Sequence, residues 1–273
     1  MREIDAKKLH QMIIGAYELL NENREMVNAL NVFPVPDGDT GTNMTMTMKS
    51  GVDKVNQLNS ESCDDIAKAL SQGTLMGARG NSGVILSQLV RGLSKAIKGK
   101  SVIETSDIKE IFQIANQTAY KAVMKPTEGT ILTVSQKMTD KANDAYTDDI
   151  KLDQYLFDII SEGQIALDNT PNQLPVLKEA GVVDSGGQGL ITLLKGAFSA
   201  LNSDIDIKDI ESKNIEVKKD LPYELTFELA TTKESYQTIL ANLETMADDI
   251  EESFENDVLK ASLKTDNVYG LLQ

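Results

Sequence analysis

For some two hundred residues this chain repeats one pattern, an apolar stripe at helical spacing followed by a short break of Gly, Pro, Asn or Asp. Leu9, Met12, Ile13, Ala16, Tyr17, Leu19 and Leu20 form the first stripe, at the i, i+3, i+4 spacing of a helix with one buried face. Met44, Met48, Val52 and Val55 form the next, which predicts a helix from 42 to about 58. Ile66, Ala67 and Leu70 face inward on a helix over 64–75. Further helices are expected over 81–97, 106–123, 130–145, 151–167 and 185–201. Short connections make sequential helices antiparallel neighbours, so the pattern predicts an array of helices packed side by side. There is neither a heptad seam nor a repeat of fixed period.

One break is unlike the rest. Asn31-Val-Phe-Pro-Val-Pro-Asp-Gly-Asp-Thr-Gly-Thr-Asn-Met44 holds two prolines, two aspartates split by a glycine, and three small polar residues. Pro34 and Pro36 forbid a helix there and leave Asp37 and Asp39 on an extended turn. The turn runs into a helix N-terminus, whose unpaired N–H groups favour an anion, phosphate above all. Two carboxylates repel a phosphate unless a cation lies between them, and Mg²⁺ is the cation that binds one or two carboxylates together with phosphate oxygens. Asp-Gly-Asp alone also reads as a solvated turn with Thr40 or Thr42 as the cap. The fourteen-residue run is more specific than that and favours the functional reading.

A second break, Gly73-Thr-Leu-Met-Gly-Ala-Arg-Gly-Asn-Ser-Gly83, has four glycines in eleven residues. Each costs about 1 kcal/mol against alanine inside a helix, so close backbone approach is wanted there. Gly73 reads as helix packing, whereas Gly77 to Gly83 repeats the arrangement of a glycine turn opening a helix. Arg79 could offer charge to a transferring phosphoryl group, or lie on the surface. Met124-Lys-Pro-Thr-Glu-Gly-Thr-Ile131 and Ala180-Gly-Val-Val-Asp-Ser-Gly-Gly-Gln-Gly-Leu190 also open helices, with Thr130, Asp184 and Ser185 at the starts. Neither glycine stretch is a P-loop or a dinucleotide fingerprint, because no Gly-Lys-Ser/Thr follows and no strand precedes.

Composition closes off several functions. A net charge of −15 excludes nucleic-acid binding through the general field of the protein. One cysteine, Cys63, and one histidine, His10, give no internal disulfide and no Cys/His zinc site, so no zinc is expected. No apolar run reaches the roughly 18 residues of a membrane span, and the amino terminus lacks a signal-peptide core, which makes a cytoplasmic location the expectation. Near residue 204 the sequence turns polar and acidic, and most of the net charge lies beyond it. Tyr223, Leu225, Phe227 and Leu229 alternate as a strand, a helix is expected from 233 to about 253, and 258–263 reads as a strand. The expected division is a helical domain over 1–203 and a small α+β segment over 204–273.

Taken together, Asn31 to Met44, Gly77 to Gly83, Lys125 to Thr130 and Asp184 to Gly189 resemble the nucleotide-binding domain of dihydroxyacetone kinases. They resemble still more the amino-terminal kinase domain of the bacterial fatty-acid kinase A subunit. The resemblance covers about residues 5–201 and implies an eight-helix antiparallel barrel with ATP and two Mg²⁺ at one open end. It implies that Asp37 and Asp39 are metal ligands, with Asn31 nearest the position of a third aspartate. It further implies that Thr40, Thr42, Asn43, Ser82 and Gly83 hold phosphates and that Thr130 and Asp184 border the nucleotide. Gly77, Ala78, Asn81 and Gly186 complete the implied nucleotide set, and Arg79 joins Asp37 and Asp39 as a catalytic candidate. The implied activity is transfer of the γ-phosphoryl of ATP to a fatty acid on a separate carrier protein, giving an acyl phosphate for phospholipid metabolism. The alternatives are a glycerone-type kinase subunit and a non-catalytic nucleotide-binding scaffold. Expected partners are ATP or ADP and the carrier, with a homodimer as an option. Past 204 the match fades. Ser262 and Lys264 stand where the family has paired histidines, and the carrier-docking domain is expected to be missing after Gln273.

Overall fold

The computed structural model describes residues 3–201, 223–230, 235, 239, 248–255 and 258–265. The chain divides into two compact units, Met1–Glu216 and Val217–Gln273. The first is built almost wholly of helices: α1 (Ala6–Glu22), α2 (Arg24–Ala29), α3 (Thr40–Asn56), α4 (Cys63–Met76), α5 (Gly80–Ala96), α6 (Asp107–Ala122), α7 (Ile131–Ala145), α8 (Leu152–Asp168), α9 (Pro175–Ala180) and α10 (Ser185–Leu201). Every long helix foreseen from the apolar stripes is present, with ends shifted by one or two residues. The short α2 and α9 are additions, too brief for periodicity to reveal. A two-residue antiparallel pair, β1 (Glu3–Ile4) with β2 (Ile103–Glu104), is another.

The long helices close into a ring. From α3 to α8 each packs on the next, α8 packs on α10, and α1 fills the gap between α10 and α3. Directions alternate around the ring, so the starts of α3, α5, α7 and α10 meet at one rim. The fold is the mainly α, eight-helix antiparallel barrel that the sequence implied. Closure is tightest where α1 meets α10. A Cβ on Gly15 would come within 2.7 Å of the Gly196 carbonyl oxygen, so only glycine admits that approach. The inward stripes supply the core, in which Leu20, Met44, Leu132, Met138, Tyr155, Ile191 and Phe198 are all but fully buried. Each such side chain contributes about 1.5–3 kcal/mol relative to an exposed position. An apolar cavity of about 220 Å³ remains among them, lined by residues such as Leu9, Met48, Leu86 and Leu193. Among the described residues no helix is long and apolar enough to cross a membrane.

The second unit holds an antiparallel sheet of β3 (Tyr223–Ala230), β4 (Asp248–Glu255) and β5 (Val258–Thr265), in the order β3-β5-β4. β5 is central, paired from Tyr223↔Thr265 to Ala230↔Val258 on one side and with β4 on the other. This corrects the helix expected to run to about 253. Ser235 and Ile239 are helical, but Asp248–Glu255 is a strand, and the intervening residues 240–247 lie outside the described ones. Ile250 and Phe254 share a face in either conformation, because four residues span one helical turn and two strand repeats alike. Pairing with β5 decides for the strand.

Candidate active site

At the rim where the four helices begin lies a cleft of about 650 Å³. Its wall takes Asp37, Asp39, Thr40 and Asn43 from the start of α3, Gly80, Asn81 and Ser82 from α5, Thr130 and Ile131 from α7, and Asp184, Ser185 and Gly186 from α10. Three of the four helices, α3, α5 and α7, have N-caps that make no side-chain capping bond. None of the four carries an acidic residue in its first turn. Uncapped N–H groups and the positive ends of the helix dipoles therefore converge on one space, which suits a polyanion.

The turn bearing the aspartates is held from beneath by Asn31, which is only 6% exposed. Its Nδ2 donates to Asp37 Oδ1 at 2.6 Å and to the Val35 carbonyl at 3.2 Å. Its Oδ1 accepts from the Thr40 hydroxyl at 2.9 Å, and the Ser185 hydroxyl reaches it at 3.5 Å. Ser185 also donates to Thr40 Oγ1 at 3.2 Å, so the starts of α3 and α10 are tied together. Asp37 is exposed and Asp39 half-buried. Apart from Asp37 Oδ1, no described side chain donates to their carboxylates, and all the donors they offer are hard oxygens. That donor set fits Mg²⁺, which takes few protein carboxylates and completes its shell with water and phosphate. Among the described residues no cluster of three or more His, Cys, Asp or Glu side chains is arranged to hold a metal, so any such ion leans on non-protein oxygens.

Asp184 plays a different part from Asp37 and Asp39. Its carboxylate is buried and accepts the Gly187 N–H at 2.7 Å and the Ile131 N–H, stapling the starts of α10 and α7. Burial pushes its carboxyl up to about 6, while those two N–H groups pull the other way. Asp184 thus borders the cleft as an internal cap. The Thr130 hydroxyl donates to the Thr127 carbonyl at 2.8 Å and so does not cap α7, whose first N–H, that of Ile131, is taken by Asp184.

Several residues singled out in the sequence do not line the cleft. Thr42 turns the other way, its N–H donating to Asn28 Oδ1 at 2.9 Å and its hydroxyl accepting from Asn28 Nδ2 at 3.0 Å. Gly77 ends α4 where a Cβ would collide with Ser50, and Gly83 begins α5 where one would collide with Thr47, so both serve helix packing. Ala78 lies between them and does not reach the cleft. The Arg79 side chain is exposed and outside the cleft wall, while its N–H donates to Thr47 Oγ1 at 3.1 Å.

Other residues join unforeseen. Lys125 is the one cation among the described residues of the wall, and it sits in the loop over 125–130 where the resemblance had given a role to Thr130 alone. Gly80 has φ +58°, and a Cβ there would run into the Asn43 amide. Phe33, Val35, Val123 and Met124 supply an apolar side to the cleft. Asn28 holds α3 from a helix too short for any pattern to flag. Only the lysine had a local signal, a basic residue beside the proline of a loop that opens a helix.

The DAK2 domain family matches residues 34–199, the stretch that runs from the aspartate turn through α3 to α10 and leaves out α1. An uncharacterized protein of Staphylococcus aureus strain USA300 is 48% identical over 222 residues, 80% of this chain and 39% of that protein. An uncharacterized protein of Staphylococcus saprophyticus is 49% identical over 205 residues, 74% of this chain and 37% of its own length. The chain thus spans about two fifths of the length of these relatives. It belongs to the DAK2 domain family, that of dihydroxyacetone-kinase-type subunits.

Proposed function

We propose that the cleft binds ATP with Mg²⁺, and that the chain is the nucleotide-binding part of a phosphotransferase acting on a fatty-acid carboxylate presented by a separate carrier protein. The observation that carries this reading is the convergence of four helix starts, free of acidic first turns, on a cleft whose carboxylates among the described residues, buried Asp184 aside, are Asp37 and Asp39. Backbone N–H groups of α3 and α5, with the Ser82 hydroxyl and the amides of Asn43 and Asn81, would receive the phosphate oxygens. Asp37 and Asp39 would hold Mg²⁺, which would supply positive charge to offset that of the phosphates. Lys125 adds the positive charge that the wall otherwise lacks, and the apolar side at Phe33, Val35 and Met124 can shield the reacting end from water.

The acceptor follows from what the cleft does not need. A carboxylic acid with a pKa near 4.3 is already ionised at neutral pH and attacks without a general base. The single histidine, His10, lies in α1, bonded at 2.9 Å to Asn56 Oδ1 and away from the cleft. A hydroxyl acceptor of the glycerone type, to which the family name points, would require a base, and Asp39 is the unbonded carboxylate at hand. ATP consumption tests the choice. With MgATP alone it should stay near background, because phosphoryl transfer relies on an oriented nucleophile. Addition of the rest of the protein with a fatty-acid-loaded carrier should raise it and yield acyl phosphate, trapped as the hydroxamate. Turnover with dihydroxyacetone and none with any loaded carrier would overturn the fatty-acid reading.

A further inference from the structure

The resemblance to dihydroxyacetone kinases puts Asn31 near a metal ligand, yet the geometry points to another role. We propose that Asn31 is a positioning residue, whose amide orients the Asp37 carboxylate for a divalent cation without itself touching that cation. The inference rests on the Mg²⁺ reading above. A side-chain amide has two donor hydrogens and one acceptor oxygen. Both hydrogens of Asn31 are committed, to Asp37 Oδ1 at 2.6 Å and to the Val35 carbonyl at 3.2 Å. Its oxygen is met by the hydroxyls of Thr40 and Ser185, at 2.9 and 3.5 Å. Turning the amide over to present its oxygen to a cation would set that oxygen against two acceptors, the Asp37 carboxylate and the Val35 carbonyl, in place of the two bonds its hydrogens now make. A residue buried to 6% exposure has no water to repair such losses.

The two aspartates are thereby unequal. Asp37 has one oxygen clamped, which fixes the plane of the carboxylate and leaves Oδ2 as the oxygen open to a ligand. Asp39 has no side-chain bond and is free to adapt to the ion. Because Asn31 also links to Thr40 on α3 and Ser185 on α10, the orientation of Asp37 is set by how those two helix starts meet. Groups that orient metal ligands in this way typically account for 10–100-fold in metal affinity.

The test is Mn²⁺ binding to the whole chain with ADP present, followed by the loss of the free-ion paramagnetic resonance signal. The proteins are wild type, Asn31→Ala, Asp37→Ala, Asp39→Ala and the double variants Asn31→Ala/Asp37→Ala and Asn31→Ala/Asp39→Ala. Asn31→Ala should weaken Mn²⁺ binding about 10-fold or more. It should weaken it no further once Asp37 is gone, and should still weaken it when only Asp39 is gone. A destabilised but folded protein would lose affinity in both backgrounds alike, which separates orientation from general damage. Should Asn31→Ala fail to fold, Asn31→Ser takes its place, since a serine can still accept from Thr40 but is too short to reach Asp37. Affinity unchanged in Asn31→Ala, or losses that multiply in the Asp37→Ala background, would overturn the positioning role while leaving the metal site standing. Wild-type protein that takes up no Mn²⁺ would overturn the metal reading and this inference together.

Discussion

The two ends of the barrel treat their helix starts in opposite ways. At one end the first turns of α4, α6 and α8 hold Asp64 and Asp65, Asp107 and Glu110, and Asp153, and α1 is capped by Asp5 through the Lys8 N–H at 2.8 Å. Asp107 there accepts the Glu104 N–H at 2.9 Å and pairs with Lys100 at 3.0 Å. At the cleft end no first turn is acidic, whereas the N-cap side chains do not separate the two ends, since those of α4, α6 and α8 make no capping bond either. A carboxylate near a helix start stabilises it by about 0.3–1 kcal/mol. One end takes that stabilisation from acids in its first turns, and the other, where Asp39 stands at the cap of α3 and Asp184 is an internal cap, keeps its first turns free of acids for an incoming anion. The contrast separates structural capping from a binding site within one fold, on helices of nearly the same length.

The largest effect that would break the contrast is at the aspartate turn. Asp37→Ala and Asp39→Ala should each weaken Mg²⁺-dependent ATP binding by more than about 100-fold, or roughly 2.8 kcal/mol. Far-ultraviolet circular dichroism should stay helical, and calorimetric titration reads the loss. Unchanged affinity in both would return the stretch to an ordinary turn.

Next comes the one carboxylate that does cap helices at the cleft end. The folded-state pKa of Asp184, about 6, lies above its unfolded value, so the folded chain holds the proton more tightly. Its contribution is therefore greatest below about pH 4, falls as pH rises toward 6, and is flat beyond. Urea unfolding of wild type minus Asp184→Asn should trace that fall, on the order of 2–3 kcal/mol for a shift of this size. A difference that grows with pH over this window would contradict the burial argument.

Lys125→Ala should cost about 1 kcal/mol in ATP affinity, and the loss should shrink as salt is raised, since the side chain is exposed. The smallest test is the most pointed. Asn81→Asp puts an acid into a first turn that has none, and should raise the stability of the free protein by about 0.3–1 kcal/mol while weakening ATP binding. Asp107→Asn at the other end should lower stability by a similar amount and leave ATP binding alone. If both variants moved stability and binding in the same sense, the two ends would not differ as argued.

Much of this could be read in the chain itself. The apolar stripes marked the long helices because 3.6-residue periodicity is imposed by the local backbone. The same local logic failed at 248–255, where Ile250 and Phe254 fit helix and strand equally and cross-strand pairing made the choice. The four loops were also legible one by one, from their glycines, prolines and small polar residues at helix starts. Their meeting was not. It depends on ring closure by α1 between α3 and α10, through contacts between residues as far apart as Gly15 and Gly196.

Within the cleft the same line divides the residues. Asp37, Asp39, Asn43 and Ser82 carried their chemistry in their own identity and in their place beside a helix start. The orientations of Thr42 toward Asn28, of Gly77 and Gly83 toward neighbouring helices, and of Asn31 toward Asp37 did not. By itself the sequence determined which segments become helices and which first turns are left without acids, because both are properties of a few consecutive residues. Only the tertiary structure decided which of those starts share a space and which side chains face it, because that is fixed by packing between residues far apart in the chain.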